Sequence, residues 1–283
     1  MISIFLWEVF MVPPFKPNLL FQPNTGFLSN RLEDLKNTSN VDILFLGSSK
    51  AYRGFDTRIY SKNDYKSFNL GSSAQKHIQT NYFLKEYLSQ LHPKLLIYEV
   101  YPDTFVEEGI ESAINVISAA PNINSNLIEL VWDMNNIKTF NTFLIKLTRN
   151  TLKLKREIFY ANEIDKYLQG GYVEHSTSFD TIVYFPAEKW VPNEKQIEKF
   201  DENLLMLKKY NIPYILLLTP YTKKYKNLEE IEMFFQERGE FINFNKILKF
   251  TVKEDFYDGQ HLNQNAVNKL NSELLKILNS RTL

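Results

Sequence analysis

The stretch Asp42-Ile43-Leu44-Phe45-Leu46-Gly47-Ser48-Ser49 decides the fold. Its apolar part is too short for a helix and shows no polar alternation, the pattern of a strand covered on both faces of a parallel sheet. The glycine and two serines that end it predict a tight strand-to-helix turn at the carboxyl edge of the sheet, where open α/β sheets collect their ligands. Outward from this run, Ser67 to Leu70, Leu95 to Tyr101, Tyr214 to Thr219 and Phe241 to Phe244 have the same short apolar character. Between them, Gln79 to Leu91, Glu194 to Tyr210 and Asn263 to Leu278 place apolar residues three and four apart, as amphipathic helices do. Strands alternating with helices predict an α/β protein with a central parallel sheet flanked by helices.

The chain has 283 residues, 44% hydrophobic and 23% charged, a composition that folds rather than one that stays disordered. Its 33 basic and 33 acidic residues cancel, so no global basic field exists to hold a nucleic-acid backbone. The absence of cysteine removes disulfides, thiolate metal sites and cysteine nucleophiles together. Aromatic residues reach 14%, a surplus suited to cores and to carbohydrate or lipid clefts. These features predict a single α/β domain over 41–283 behind an apolar lead-in over 1–40. The stretch from about Thr104 to Lys189 breaks the strand–helix rhythm and reads as an insertion over one end of the sheet.

The opening MISIFLWEVFMVPPF carries Glu8, lacks a basic leader and stops at Pro13-Pro14, short of the roughly 20 residues that a membrane span needs. A core helix fits it best, with an interfacial helix or the stub of a membrane anchor as the other readings. Within the insertion, Phe140 to Ile158 predicts a helix. Lys138, Lys146, Arg149, Lys153, Lys155 and Arg156 occur along it with no acidic residue among them. An ordinary solvated face explains such a row, and a membrane surface or polyanion is the alternative.

Three segments have the means for chemistry. A serine in the Gly47-Ser48-Ser49 turn can sit at a helix start, where free N–H groups favour a developing negative charge, although serine caps serve many helices without chemistry. Asn69-Leu70-Gly71-Ser72-Ser73 forms a second small turn at the same sheet edge, and Gly71 allows close backbone approach because no side chain intervenes. Asp255-Phe256-Tyr257-Asp258-Gly259-Gln260-His261-Leu262-Asn263 precedes the last helix, with Asn263 as its expected N-cap. Asp258 and His261 are three apart, so one turn lets the carboxylate hold one imidazole nitrogen while the other faces a nucleophile. A zinc site would need further ligands, and the remaining histidines, His77, His92 and His175, lie far away in sequence.

Taken together and in order, Asp42 to Ser49, Asn69 to Gly71 and Phe256 to Asn263 resemble the first, second and fifth blocks of the SGNH (GDSL-like) hydrolase superfamily. The resemblance implies a three-layer flavodoxin-like fold, Ser49 as nucleophile, His261 as base and Asp258 as its orienting partner. It also implies an oxyanion hole from the Ser49 and Gly71 N–H groups, with no metal or cofactor. It covers roughly Val41 to Glu99 and Ile212 to Leu278. The asparagine of the family's third block, Gly-x-Asn-Asp, has no counterpart in Leu96-Ile97-Tyr98-Glu99-Val100-Tyr101-Pro102-Asp103. Arg53, Asn69 and Tyr101 are the candidates to replace it or to meet substrate; Tyr221, after the fourth strand, either stacks on a sugar or packs. For Arg53 the structural alternative is an ion pair with Asp56 or another acid.

This departure, with Gly47-Ser48-Ser49-Lys50-Ala51-Tyr52-Arg53-Gly54, is similar to branches of the superfamily associated with membrane O-acyltransferases and surface-polymer modification. The expected function is a serine-dependent O-acyl esterase or acyltransferase, acetyl foremost, acting on a carbohydrate or cell-surface polymer through a Ser49 acyl-enzyme. The expected partners are an acylated carbohydrate or other ester and a membrane acyltransferase, with an exported or membrane-associated setting. Two other readings stand beside it. One is a catalytically weak module of the same fold that binds polysaccharide or a membrane partner; the other is a phosphate or nucleotide binder using the Gly47-Ser48-Ser49 turn, which lacks a glycine-rich fingerprint.

Overall fold

The computed structural model describes residues 20–154, 160–176 and 186–281. The apolar opening stretch lies outside the described residues, as do Lys155 and Arg156. Helix α1 (Leu28–Leu35) leads into β1 (Ile43–Leu46), α2 (Ser49–Gly54), α3 (Thr57–Ser61), β2 (Ser67–Asn69), α4 (His77–Leu91) and β3 (Leu95–Glu99). Next come α5 (Ile110–Ala119), α6 (Ser125–Met134), α7 (Ile137–Thr151) and the strands β4 (Asp165–Leu168) and β5 (Tyr172–His175). The chain continues with α8 (Glu194–Lys209), β6 (Tyr214–Leu218), α9 (Leu228–Gln236) and β7 (Phe241–Asn243). Two short helices, α10 (Phe244–Ile247) and α11 (Val252–Asp255), precede the last, α12 (Gln264–Asn279).

Five strands form one sheet in the order β2-β1-β3-β6-β7, every pair parallel. All five predicted strands are present, and the fold is the expected α/β class. The order reverses between β1 and β3, so a crevice opens outside the carboxyl ends of these two strands. Side chains alternate across the sheet because successive residues of a strand point to opposite faces. Ile43, Phe45, Ile97 and Leu217 pack with Val267, Leu270 and Leu274 of α12. Leu44, Leu46, Leu96 and Leu216 pack on the other face with Phe83, Leu84 and Leu88 of α4. The central strands β1, β3 and β6 are therefore apolar along nearly their whole length. Burying one leucine such as Leu270 contributes about 2 kcal/mol, so a few of these contacts fix α12 and the segment that precedes it.

The stretch after β3 joins the core on the α4 face through Ala113, Val116 and Ile117 of α5 and Leu127 and Leu130 of α6. The β4–β5 hairpin lies against the edge of the sheet, where the Asn69 N–H donates to Gly170 O at 2.8 Å. Gly171 brings its carbonyl to the buried Arg31, whose Nε and Nη2 donate to it at 3.1 and 3.0 Å.

One residue of the basic row, Lys146, departs from the expected solvated or membrane-facing stripe, whereas Lys153 is exposed. Lys146 is buried, and its Nζ donates to Ala120 O at 2.5 Å and Ser118 O at 3.4 Å, satisfying carbonyls at the end of α5. A helix end offers unpaired carbonyls that attract a cation, which draws this long side chain inward. Arg149 lies 4.7 Å over the Phe21 ring. Among the described residues no helix is long and apolar enough to cross a membrane.

Candidate active site

The turn after β1 is built around a buried carboxylate. Gly47 has φ +148°, and a Cβ there would fall 2.6 Å from both Cβ and Oε2 of Glu99. Only glycine admits this approach without strain. Ser48 is the N-cap of α2: its Oγ accepts from the Lys50 N–H at 3.2 Å and donates to Glu99 Oε2 at 2.8 Å. The Ser48 N–H donates to the same oxygen at 2.9 Å. Burial pushes the Glu99 carboxyl above its usual range, opposed by these two bonds and by the Lys50 charge. Ser49 is the first residue of α2, at the mouth of the crevice, and an N–H in that position has no intrahelical acceptor.

The second half of the site comes from the loop before α12. Asn263 caps that helix, its Oδ1 accepting from the Ala266 N–H at 3.1 Å. Upstream, the Asn263 N–H donates to Asp255 O at 2.9 Å and the Tyr257 N–H to His261 O at 3.1 Å, closing residues 255–263 into a tight loop. Asp258 Oδ1 accepts from the N–H groups of Gln260 and His261, both at 2.7 Å, and its Oδ2 lies 2.8 Å from His261 Nδ1. His261 Nε2 is 2.8 Å from Ser49 Oγ. With the carboxylate on Nδ1 holding that nitrogen's proton, Nε2 is left to accept from the serine hydroxyl.

Electrostatics suit a neutral imidazole. Burial pushes His261 below its ordinary value, as do the Lys50 and Arg53 charges, while Asp258 pulls the other way. Burial raises Asp258, but the His261 bond and charge and the two backbone N–H groups outweigh it and hold the carboxyl at about 2. The Tyr257 ring stacks with His261, centroids 5.6 Å apart and planes at 12°, and with His175 at 3.8 Å and 20°.

Ser49, His261 and Asp258 are thus brought together, whereas the residues expected to meet substrate are occupied elsewhere. Asn69 is fully buried; its Nδ2 donates to Ala51 O at 2.8 Å and Phe55 O at 3.3 Å. Its Oδ1 accepts from the Gly71 N–H at 3.1 Å. Asn69 therefore ties α2 to β2 rather than facing substrate, and the Gly71 N–H is committed inside its own turn. Arg53 makes a two-point ion pair with Asp165 of the β4–β5 hairpin at 2.7 and 2.8 Å, not with Asp56, which pairs with Arg58. The local sequence pointed to Asp56 because the true partner is 112 residues away. Tyr101 is buried, with Lys50 Nζ 4.4 Å over its ring and Tyr221 at 5.8 Å. It packs between these two side chains, and half-buried Tyr221 continues the row to Tyr225 at 5.7 Å.

Four residues at the site lay outside the sequence reading. Glu99 had a visible signal, since a carboxylate inside a continuously apolar strand needs a partner. Lys50 had a weaker one, its place beside the turn serine. Asp165 and His175, joined by a 2.8 Å contact between Oδ1 and Nδ1, had none, because their role depends on where the hairpin docks. Among the described residues no group of three or more His, Asp or Glu side chains is arranged to hold a metal ion.

No family model and no curated protein matches the chain. Among solved structures it is similar to a Bacteroides fragilis protein provisionally assigned as an acylhydrolase, at 12% identity and a TM-score of 0.47, covering 90% of this chain and 97% of that one. It is also similar to a GDSL-like lipase from Bacteroides thetaiotaomicron, at 12% identity and a TM-score of 0.44, covering 89% of this chain and 98% of the other.

Proposed function

We propose that the protein is a serine-dependent ester hydrolase of the SGNH (GDSL-like) type, with Ser49 as nucleophile, His261 as general base and acid, and Asp258 as orienting carboxylate. The observation that carries this reading is the continuous relay from Ser49 Oγ to His261 Nε2 and from His261 Nδ1 to Asp258 Oδ2, each step 2.8 Å. A lone serine hydroxyl is a poor nucleophile near neutral pH, and a neutral imidazole in hydrogen-bond contact is the usual remedy.

In the reaction, His261 Nε2 takes the hydroxyl proton as Ser49 Oγ bonds to the ester carbonyl carbon. The carbonyl oxygen becomes an oxyanion facing the Ser49 N–H at the start of α2. Collapse breaks the bond to the leaving alkoxide, which takes the proton from His261, and leaves an acyl-Ser49. Water, or an acceptor hydroxyl, then gives its proton to His261 as it attacks the acyl carbon, and His261 returns that proton to Ser49 Oγ as the acyl–Oγ bond breaks, releasing the acid or the new ester. The acyl group proposed is a short one, acetyl foremost, on a carbohydrate or cell-surface polymer. That choice rests on the sequence pattern from Gly47 to Gly54 and on its resemblance to polymer-modifying branches of the superfamily.

One observation favours the alternative of a weakly active binding module. With the Gly71 N–H bonded to Asn69 and no third-block asparagine, the oxyanion is left with the Ser49 N–H, and each missing donor typically lowers turnover by about 10²–10³. Purified protein assayed with p-nitrophenyl acetate and with acetylated xylo- or chito-oligosaccharides separates the two. The ester-hydrolase reading expects acetate release, reduced at least about 10³-fold in Ser49→Ala. Undiminished release by Ser49→Ala would remove it, and glycan binding without release would favour the module.

A further inference from the structure

Lys50 directly follows the proposed nucleophile, and its side chain is 5% exposed. Its Nζ donates to the carbonyl oxygen of Gln260, in the loop that carries His261, and lies 4.4 Å over the Tyr101 ring. An ammonium has three N–H donors, and the Gln260 carbonyl takes one. Beside it is a cavity of about 10 Å³ bounded by Lys50, Arg53, Thr219, Pro220, Gln260 and His261. Thr219 Oγ1, buried on this wall, has no hydrogen-bond partner among the described residues. Lys50 therefore reaches from the helix bearing Ser49, past a cavity of about one water's size, to the backbone of the acid–base loop. A buried cation is costly unless its surroundings use it. The reaction steps above make no use of this one.

We propose that Lys50 is a positioning residue for His261: its Nζ, bonded to the Gln260 carbonyl, clamps the Asp258–His261 loop against the start of α2 and sets a cation across the small cavity from the imidazole. The consequence for turnover rests on the ester-hydrolase reading; the effect on the imidazole does not.

The surroundings of both groups fix the sign. Lys50 faces Glu99 from β3, Asp103 from the following turn and Asp258 from the loop. His261 faces Asp258, Lys50 and Arg53, the last already paired with Asp165, and stacks with Tyr257. Burial lowers the Lys50 ammonium to about 8, against the pull of those three carboxylates. Removing a positive neighbour favours imidazolium and moves the His261 midpoint up. Arginine would keep the charge, whereas methionine and glutamine remove it.

The test follows the His261 ring by NMR titration in the full-length wild type, Lys50→Met, Lys50→Gln and Lys50→Arg, with His261→Asn to assign the signal. The kcat/KM profile for p-nitrophenyl acetate is recorded in parallel. The expected result is a midpoint raised by about one pH unit in the two neutral variants, with the acid limb of the rate profile moving with it, and near-wild-type behaviour in Lys50→Arg. An unchanged His261 midpoint in folded Lys50→Met or Lys50→Gln would overturn the proposal. The titration decides this even in a protein that hydrolyses no ester, which separates failure of this inference from failure of the functional reading.

Discussion

Ser48 and Glu99, 51 residues apart, meet at two points: the N–H and the Oγ–H of Ser48 both end on Oε2 of Glu99, at 2.9 and 2.8 Å. The turn that presents Ser49 is thereby bolted to the third strand of the sheet. If Ser49 is the nucleophile of the proposed reaction, a hydroxyl held this way loses little freedom on reaction, which is where enzymes gain much of their rate.

Replacing Glu99 tests that bolt. Glu99→Ala leaves two buried donors without an acceptor and is expected to cost about 1–3 kcal/mol, read by urea denaturation, together with a fall in any ester turnover. Glu99→Gln keeps an acceptor oxygen and should fall less. The carboxyl is held above its ordinary value of 4.5, so the folded state binds its proton more tightly than the unfolded chain. Wild-type stability from this group therefore declines as pH rises from about 4.5 towards the raised value, and Glu99→Gln should lack that decline.

Gly47→Ala probes the same contact from the other side. A methyl group would meet Glu99 at 2.6 Å in a backbone conformation at φ +148° that other residues rarely adopt. The expected loss is about 2 kcal/mol or more in thermal or chemical denaturation. Activity should disappear beyond what the stability loss explains, because Ser48 and Ser49 move with the turn.

Asp258→Asn should leave the fold intact and lower turnover about 10⁴-fold, by removing the charge that fixes the imidazole tautomer. Because Asp258 is held at about 2 against an ordinary value of 3.8, its contribution to stability is full above about pH 4. It is lost as pH falls towards 2. The variant should show a flatter acid-denaturation curve over that interval.

Asp165→Asn unpairs Arg53, whose side chain is 14% exposed against 11% for the aspartate. The expected cost is about 2–3 kcal/mol, since charge-assisted bonds to a mostly buried guanidinium are lost. Arg53→Lys should recover only part of the original pair, because a lysine cannot make both bonds of the fork.

The sheet was legible in the sequence because its central strands β1, β3 and β6 are apolar on both faces, and both faces are indeed covered, by α4 on one side and α12 on the other. The Asp258–His261 pairing was legible because it is local, three residues on one turn. What could not be read were partnerships set by docking: Arg53 with Asp165, Tyr257 with His175, and Lys146 with the end of α5. Asn69 misled for a different reason. An amide has donors and an acceptor, and the sequence does not reveal that Ala51, Phe55 and Gly71 take them.

The most direct measurement is intact-mass and peptide mapping after exposure to a fluorophosphonate, in wild type, Ser49→Ala and His261→Ala. A serine activated by the relay takes one adduct at Ser49, labels far more slowly without His261 and not at all in Ser49→Ala. Absence of labelling in folded wild type, or an adduct on another residue that persists in Ser49→Ala, would contradict the account.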